Sequence, residues 1–219
     1  MSETTGTYTQ TARSTPTRYA SRASYDRAAV HAVIDEALVC HVGFIRDAAP
    51  VVLPTVHARA GDVLYIHGSS GGRFSLLDGE PVGVTITLVD CLVLARSWLH
   101  HSAAYRSVVI HGTARIVTDG EEKLAAMASL IDRVARGRAA DTRPPTPKEL
   151  AKTAIVAIEL AEASLKVRGD QLAEEPGDEQ LPHWAGVIPL KLAAGVPVPA
   201  ADLVEGVKLP DYLIDYSRG

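Results

Sequence analysis

Cysteine is nearly absent from this chain. The two present in 219 residues, Cys40 and Cys91, lie in apolar, strand-like surroundings. Buried reduced thiols of a cytosolic protein are expected there, with a disulfide as the other reading. No Cys-x-x-Cys or His-Glu-x-x-His spacing occurs and the eight histidines are scattered, so the pattern offers no metal site. No run approaches the roughly 18 apolar residues of a membrane-spanning helix, and residues 1–17 lack the apolar centre of a secretory signal. A G-x-G-x-x-G fingerprint is missing too, so a nicotinamide donor would dock only transiently. Nor is positive charge in surplus: the formal net charge of −4 gives no global attraction to nucleic acid or an anionic membrane. These absences leave a cytoplasmic protein acting on a small molecule. Its 47% hydrophobic content can bury a substantial core.

The pattern along the chain is mostly that of strands. Residues 1–17 read as a Thr/Ser-rich lead-in without structure, the start of an arm over 1–25. Asp26 caps a first helix with Val30, Val33, Ile34 and Leu38 at amphipathic spacing. Residues 38–46 and 51–59 then read as a hairpin around a turn at 47–50. Pro54 cannot donate to a strand ladder, which marks an edge or a bulge where a flat ligand can meet the backbone. Residues 82–89 and 91–98 read as two strands, and 105–117 as another with a bulge at Gly112. A second helix over 121–136 is expected to bury Leu124, Met127, Leu130, Ile131 and Val134. Residues 136–147 make a charged connection, 153–160 and 164–168 the last strands, and 170–219 a Pro/Gly-interrupted extension. Seven or eight strands joined by short turns predict an antiparallel β-barrel with flanking helices.

The stretch Val63–Gly79 carries the chemistry. A strand, VLYI, runs into Gly68-Ser69-Ser70-Gly71-Gly72 and then into Arg73 at the start of a short helical run. Bare backbone, two hydroxyls and a fixed cation suit a phosphate; a plain surface turn with a solvated arginine is the alternative. Arg106, with Ser102 and Ser107 close by in sequence, offers a second guanidinium, and two bidentate forks suit a dianion. A flavin further needs a flat slot and donors at its pyrimidine edge. Pro54, Thr55 and Val56 are candidates for the slot, and Lys166, Arg168 or Trp184 for the edge or face.

Four passages in order resemble the pyridoxamine 5′-phosphate oxidase-like, FMN-binding split-barrel superfamily, in its flavin-nucleotide-binding branch with the Nim-type nitroimidazole reductases. They are LVCHVGFIRDAAPVVLPTVHA, LYIHGSSGGRFSLL, HSAAYRSVVIHGTARIV, and AIELAEASLKVRGD with WAGVIPL. The resemblance covers about residues 28–188. It implies a mainly β, antiparallel split barrel over 26–169, working as a homodimer with FMN at the subunit boundary. It further implies that Arg73 and the backbone of Ser69, Ser70 and Gly72 hold the phosphate, assisted by Arg106 and Ser107, with Tyr105 among the cofactor-binding residues and Pro54 and Thr55 along the ring. His67 matches the histidine that Nim-type proteins place near the flavin and is the candidate catalytic residue. Nothing after Ser164 reproduces the Arg-x-His substrate motif of the true oxidases, which argues against vitamin B6 synthesis. The implied activity is an FMN-dependent oxidoreductase for a small organic substrate, reduced by an external donor such as NAD(P)H. The alternatives are a flavin-binding module without turnover, or the same barrel with deazaflavin F420 or with haem on His67, His100, His101 or His111.

Overall fold

The computed structural model describes residues 6–214 and 216. Nine strands form one antiparallel system: β1 (Ala23–Ser24), β2 (Val39–Arg46), β3 (Ala49–Ala60), β4 (Val63–Ser69), β5 (Pro81–Leu94), β6 (Ser102–Ile116), β7 (Thr153–Glu159), β8 (Glu162–Arg168) and β9 (Gly186–Pro189). Six of them close a ring in the order β6-β7-β4-β3-β2-β5, because β5 also pairs with β6. β8 and then β1 extend the sheet from β6, and β9 extends it from β5. The antiparallel barrel predicted from the turn spacing is what the chain forms.

The ring is split at β3. Its first half pairs with β2 from Ala49 to Val56, and only His57–Ala60 pairs with β4. Pro54 therefore lies where β3 has a ladder on one side only, which a residue without an N–H tolerates. The hairpin before it turns through Asp47 and Ala48, both at positive φ, as a two-residue turn between twisted strands requires.

Alternation fills the ring. Cys40, Val42, Phe44, Leu64, Ile66, Val84, Ile86, Val108, Ile110 and Ile158 point inward to one buried cluster. Helix α1 (Arg27–Glu36) plugs one end with Val30, Val33 and Ile34, and the side chain of Asp26 accepts the Ala29 N–H at 2.8 Å to cap it. A 3-10 turn, Arg73–Leu76, closes the other end with Phe74 and Leu77. Helix α2 (Gly120–Val134) packs outside against β3, β4 and β7 through Ala126 and Leu130. Cys40 and Cys91 are both buried free thiols, and burial pushes the Cys40 thiol up to about 12.

Several local expectations change. The two strands expected over 82–98 are one: β5 runs from Pro81 to Leu94 through a register shift between Val89 and Cys91 that leaves Asp90 without a partner on β6, and residues 95–98 lie beyond it. Gly112 is not a bulge but pairs with Val82 in an unbroken ladder. Its missing side chain answers close packing, since a Cβ there would lie 2.9 Å from Ile158 Cγ2. Leu124, Ile131 and Val134 of α2 are exposed, because the helix touches the barrel along a narrower stripe than its apolar pattern suggests. The connection after it holds a further helix, α3 (Pro147–Lys152), begun by a Thr146–Glu149 capping box. The N-terminal lead-in is held from residue 6 onward; residues 1–5 lie outside the described chain. Tyr8 is 3% exposed, and its hydroxyl donates to Asp62 at 2.8 Å and lies 2.7 Å from His31 Nε2.

Two outcomes follow. Gly112→Ala forces a Cβ against Ile158 and is expected to lower stability by about 1–3 kcal/mol, read as an earlier urea midpoint at unchanged slope. His31 and His57 are buried, and burial holds both below the ordinary imidazole value. The unfolded chain therefore binds protons more readily than the folded one as pH falls through the ordinary imidazole range, so stability drops on that side. The midpoint should fall between pH 7.5 and 5.5, roughly one unit to either side of a free imidazole, and His57→Gln should flatten that slope.

Candidate functional site

A barrel packed with aliphatic side chains leaves its outer face for chemistry. The cross-strand register aligns Pro54, His41, Thr85, Val109 and Ser164 in one row. Two residues further along β6, Ser107 faces Lys166, and then Tyr105 faces Arg168. Thr87 and Ser107 share a hydrogen bond at 3.0 Å, and the Lys166 ammonium lies 5.9 Å from the Tyr105 ring centre. Val39, Ile45, Val52 and Val89 are exposed on the same strands. Of the expected residues, Pro54, Tyr105, Ser107, Lys166 and Arg168 thus share this face, whereas Val56 packs against the cluster under α2 that holds Ala126 and Leu130. Thr55 stands opposite the buried Cys40, and its hydroxyl donates to the Val56 carbonyl at 3.3 Å.

Arg106 does not join them. Strand alternation turns it to the other side from Tyr105 and Ser107, with Val108 and Ile110, toward the end plugged by α1. Its guanidinium donates to Glu36 at the end of α1 and to Asp90 at the bulge, with contacts of 2.8 Å and 2.7 Å. Hydrogen bonds to Glu36 and then Asp90 raise its proton affinity still further. The expectation that Arg73 and Arg106 clasp one phosphate is therefore overturned within a chain. The chain leaving the Arg73 turn reaches β6 at Ala114, which accepts the Gly79 N–H at 2.9 Å. Eight strand positions separate Ala114 from Arg106, roughly 26 Å.

Arg73 itself is exposed and makes no ion pair or hydrogen bond among the described residues. It lines a cleft of about 160 Å³ with Ile45, Arg46, Asp47, Leu76 and Glu80, room for a phosphate and not for a ring system. Arg46, which the sequence reading passed over, brings a second guanidinium to this cleft; its position beside the hairpin turn was the available signal. The loop backbone is committed elsewhere. Ser70 N–H donates to Lys152 O at 2.9 Å, Gly71 N–H to Ser69 Oγ at 3.3 Å and Gly72 N–H to Ser69 O at 2.8 Å. The expected amide cradle of 69–72 is thus spent on the turn itself, as is the Ser69 hydroxyl oxygen, and the cation and the Ser70 hydroxyl remain. At Gly72 a Cβ would press on Ser69 O at 3.1 Å, which explains the glycine without invoking a ligand.

His67 is exposed near the end of β4, opposite Ile155, and makes no hydrogen bond among the described residues. His100 pairs with Glu175 at 3.1 Å, and His101 Nδ1 donates to the Ser97 carbonyl at 2.8 Å. His111 lines a separate cleft with Arg13 and Glu162. Ser102 opens β6 at the far end from Arg73. Trp184, 67% exposed, precedes β9, with its ring edge against Gly186. No cluster of His, Cys, Asp or Glu able to hold a metal ion occurs among the described residues.

With this geometry in view, the comparisons place the chain. The sequence model for pyridoxamine 5′-phosphate oxidase matches residues 26–167, and the chain belongs to that split-barrel family. No match was found among curated proteins. Among solved structures, the flavocytochrome Anf3 from Azotobacter vinelandii is 34% identical over 95% of this chain and 98% of its own, with a TM-score of 0.89. The FAD and haem binding protein from Mycobacterium smegmatis is 34% identical over 87% of this chain and 95% of its own, at 0.83. A protein described as conferring 5-nitroimidazole antibiotic resistance, from Bacteroides thetaiotaomicron, is 19% identical over 66% of this chain and 86% of its own, at 0.55, a likeness of fold.

The Arg106 assignment has a direct test. Arg106→Met removes the cation held between Glu36 and Asp90 at a partly exposed site, so a loss of about 1 kcal/mol is expected. The thermal midpoint of the variant measures it.

Proposed function

We propose that this chain is a redox protein that holds a flavin on the outer barrel face and carries haem as a second group. The carrying observation is that the two structures sharing 34% identity over 95% and 87% of the chain are a flavocytochrome and a FAD and haem binding protein. Both alignments reach into the extension beyond residue 169, which the family model leaves out. FMN is the minimum that the Arg73 cleft calls for; the names of these two relatives favour FAD.

The residues present fit a flavin. An unpaired Arg73 with Ser70 can bind a phosphate, with Arg46 at the rim. The one-sided backbone of β3 around Pro54, Thr55 and Val56 offers groups to a polar ring edge, and Lys166 and Arg168 bring positive charge to the same face. A flavin supplies reversible two-electron chemistry, and a haem one-electron chemistry. Of the four histidines considered for haem, His67 and His111 have rings free of hydrogen bonds among the described residues, and His67 is the more exposed, so His67 would be the residue to hold the haem iron rather than an acid–base group.

The face itself is incomplete in one chain. The Arg73 group and the Tyr105–Lys166–Arg168 group lie at opposite ends of β6, too far apart for one flavin. Two chains related by a dyad would set one group of each beside the other group of its partner, burying Val39, Ile45, Val52 and Val89. A homodimer with shared sites, an external donor such as NAD(P)H and a small acceptor complete the reading. No helix among the described residues is long and apolar enough to cross a membrane.

The test is the visible spectrum of the protein as purified, with mass analysis of what it releases on denaturation. Flavin bands and a Soret band are expected together. Arg73→Ala should purify with less flavin and Arg106→Met with the full amount, while His67→Ala should lose the Soret band and keep the flavin. A colourless parent sinks the proposal, and a dimeric mass in solution is required by the shared site.

A further inference from the structure

Most arginines in this chain are spoken for. Arg13, Arg27, Arg59, Arg96, Arg106 and Arg115 all end on Asp or Glu. Arg22 and Arg168 make no ion pair to a described residue, and both line one cleft of about 450 Å³ where β1 meets the end of β8. Arg22 lies over the Tyr19 ring at 4.3 Å instead of against a carboxylate. Ser21 and Ser24 add hydroxyls, Val167 and Leu172 an apolar wall, and no carboxylate lines the cleft among the described residues. In a chain of net charge −4, two unpaired guanidiniums in one cleft are a poor arrangement unless an anion joins them.

The size falls within the range that takes a nucleotide-sized ligand. Hydroxyls and paired forks suit phosphate oxygens, and an apolar wall suits a base. Direction matters as well: Arg168 stands opposite Tyr105, and Lys166 is paired with Ala23 of β1, so the cleft opens beside the outer face. We propose that the Arg22–Arg168 cleft binds the adenosine phosphate end of a dinucleotide whose reactive ring reaches that face. The inference rests on the flavin reading only for what lies at the other end. The same chemistry has two sources, the adenylate half of FAD and a separate NADH or NADPH.

The experiment uses full-length protein as purified, with Arg22→Ala, Arg168→Ala and Arg168→Lys, each checked for an unchanged thermal midpoint. Flavin identity is read by mass, affinity for ADP and 2′,5′-ADP by calorimetry, and KM for NADH and NADPH by turnover. Each alanine variant should weaken the bound nucleotide by about tenfold or more, the worth of a charge-assisted contact, with partial rescue in Arg168→Lys. Loss of FAD with retention of FMN assigns the cleft to the flavin. Unchanged flavin with weaker ADP binding and a higher KM assigns it to the donor. Folded variants that change neither overturn the inference and leave the flavin reading standing. A colourless parent that still binds ADP through these arginines overturns the flavin reading and leaves the cleft.

Discussion

The interior of this barrel is full, and the rest of the molecule answers to that. Ile34, Leu64, Ile66, Ile86, Ile110 and Ile158 are buried almost completely, each held by neighbours across the ring at the density of a packed solid. A side chain one position along any strand must then face outward, because the repeat is two. Polar chemistry is excluded from the inside by desolvation and collected on one broad face by register. The helices respect the same division: α1 plugs an end, α2 covers part of the outside, and the sheet of β2, β5, β6 and β8 is left uncovered.

That division also explains what could be read from residues in order and what could not. Hairpins, alternation, the Asp26 cap and the glycine-serine loop are local and were legible. Arg106 was not, although its neighbours Tyr105 and Ser107 were placed well. One step along a strand reverses the face, and the carboxylates that claim it come from Glu36, seventy positions back, and from Asp90. The bulge that frees Asp90 has no glycine to announce it. The Ser69–Gly72 amides were misjudged for a related reason: a bare loop looks available until Lys152, far along the chain, arrives to accept from Ser70. Tyr8 was hidden by the Thr/Ser-rich composition around it, and only the tertiary contact with His31 and Asp62 reveals why it is aromatic.

Charge is sorted by the same geometry. Carboxylates and arginines pair at the barrel ends and helix caps, as in Arg106 with Glu36 and Asp90 or Arg59 with Asp35. Of the cations without an ion pair among the described residues, Arg22, Arg73 and Arg168 are left on or beside the open face. A net negative protein can in this way present a locally positive surface, since screening confines each charge to about 8–10 Å. Global charge argued against nucleic acid; it says nothing against a small anion met at one cleft.

The extension beyond β8 is where this chain departs furthest from a bare split barrel. β9 fastens it to β5 from Cys91 to Leu94, and Tyr216 donates to the Val134 carbonyl at the end of α2. Between these anchors Leu192, Val196, Val198 and Val204 are between 73% and 90% exposed. A free tail would carry such residues at little cost, but a segment tied at both ends has already given up much of its chain entropy. Ordering apolar residues without burying them is unfavourable in one copy and becomes favourable only when something covers them. The uncovered sheet face presents the same problem from the other side. The proposed isologous pair would resolve both at once, and it is the arrangement in which the two separated halves of the proposed flavin site would meet.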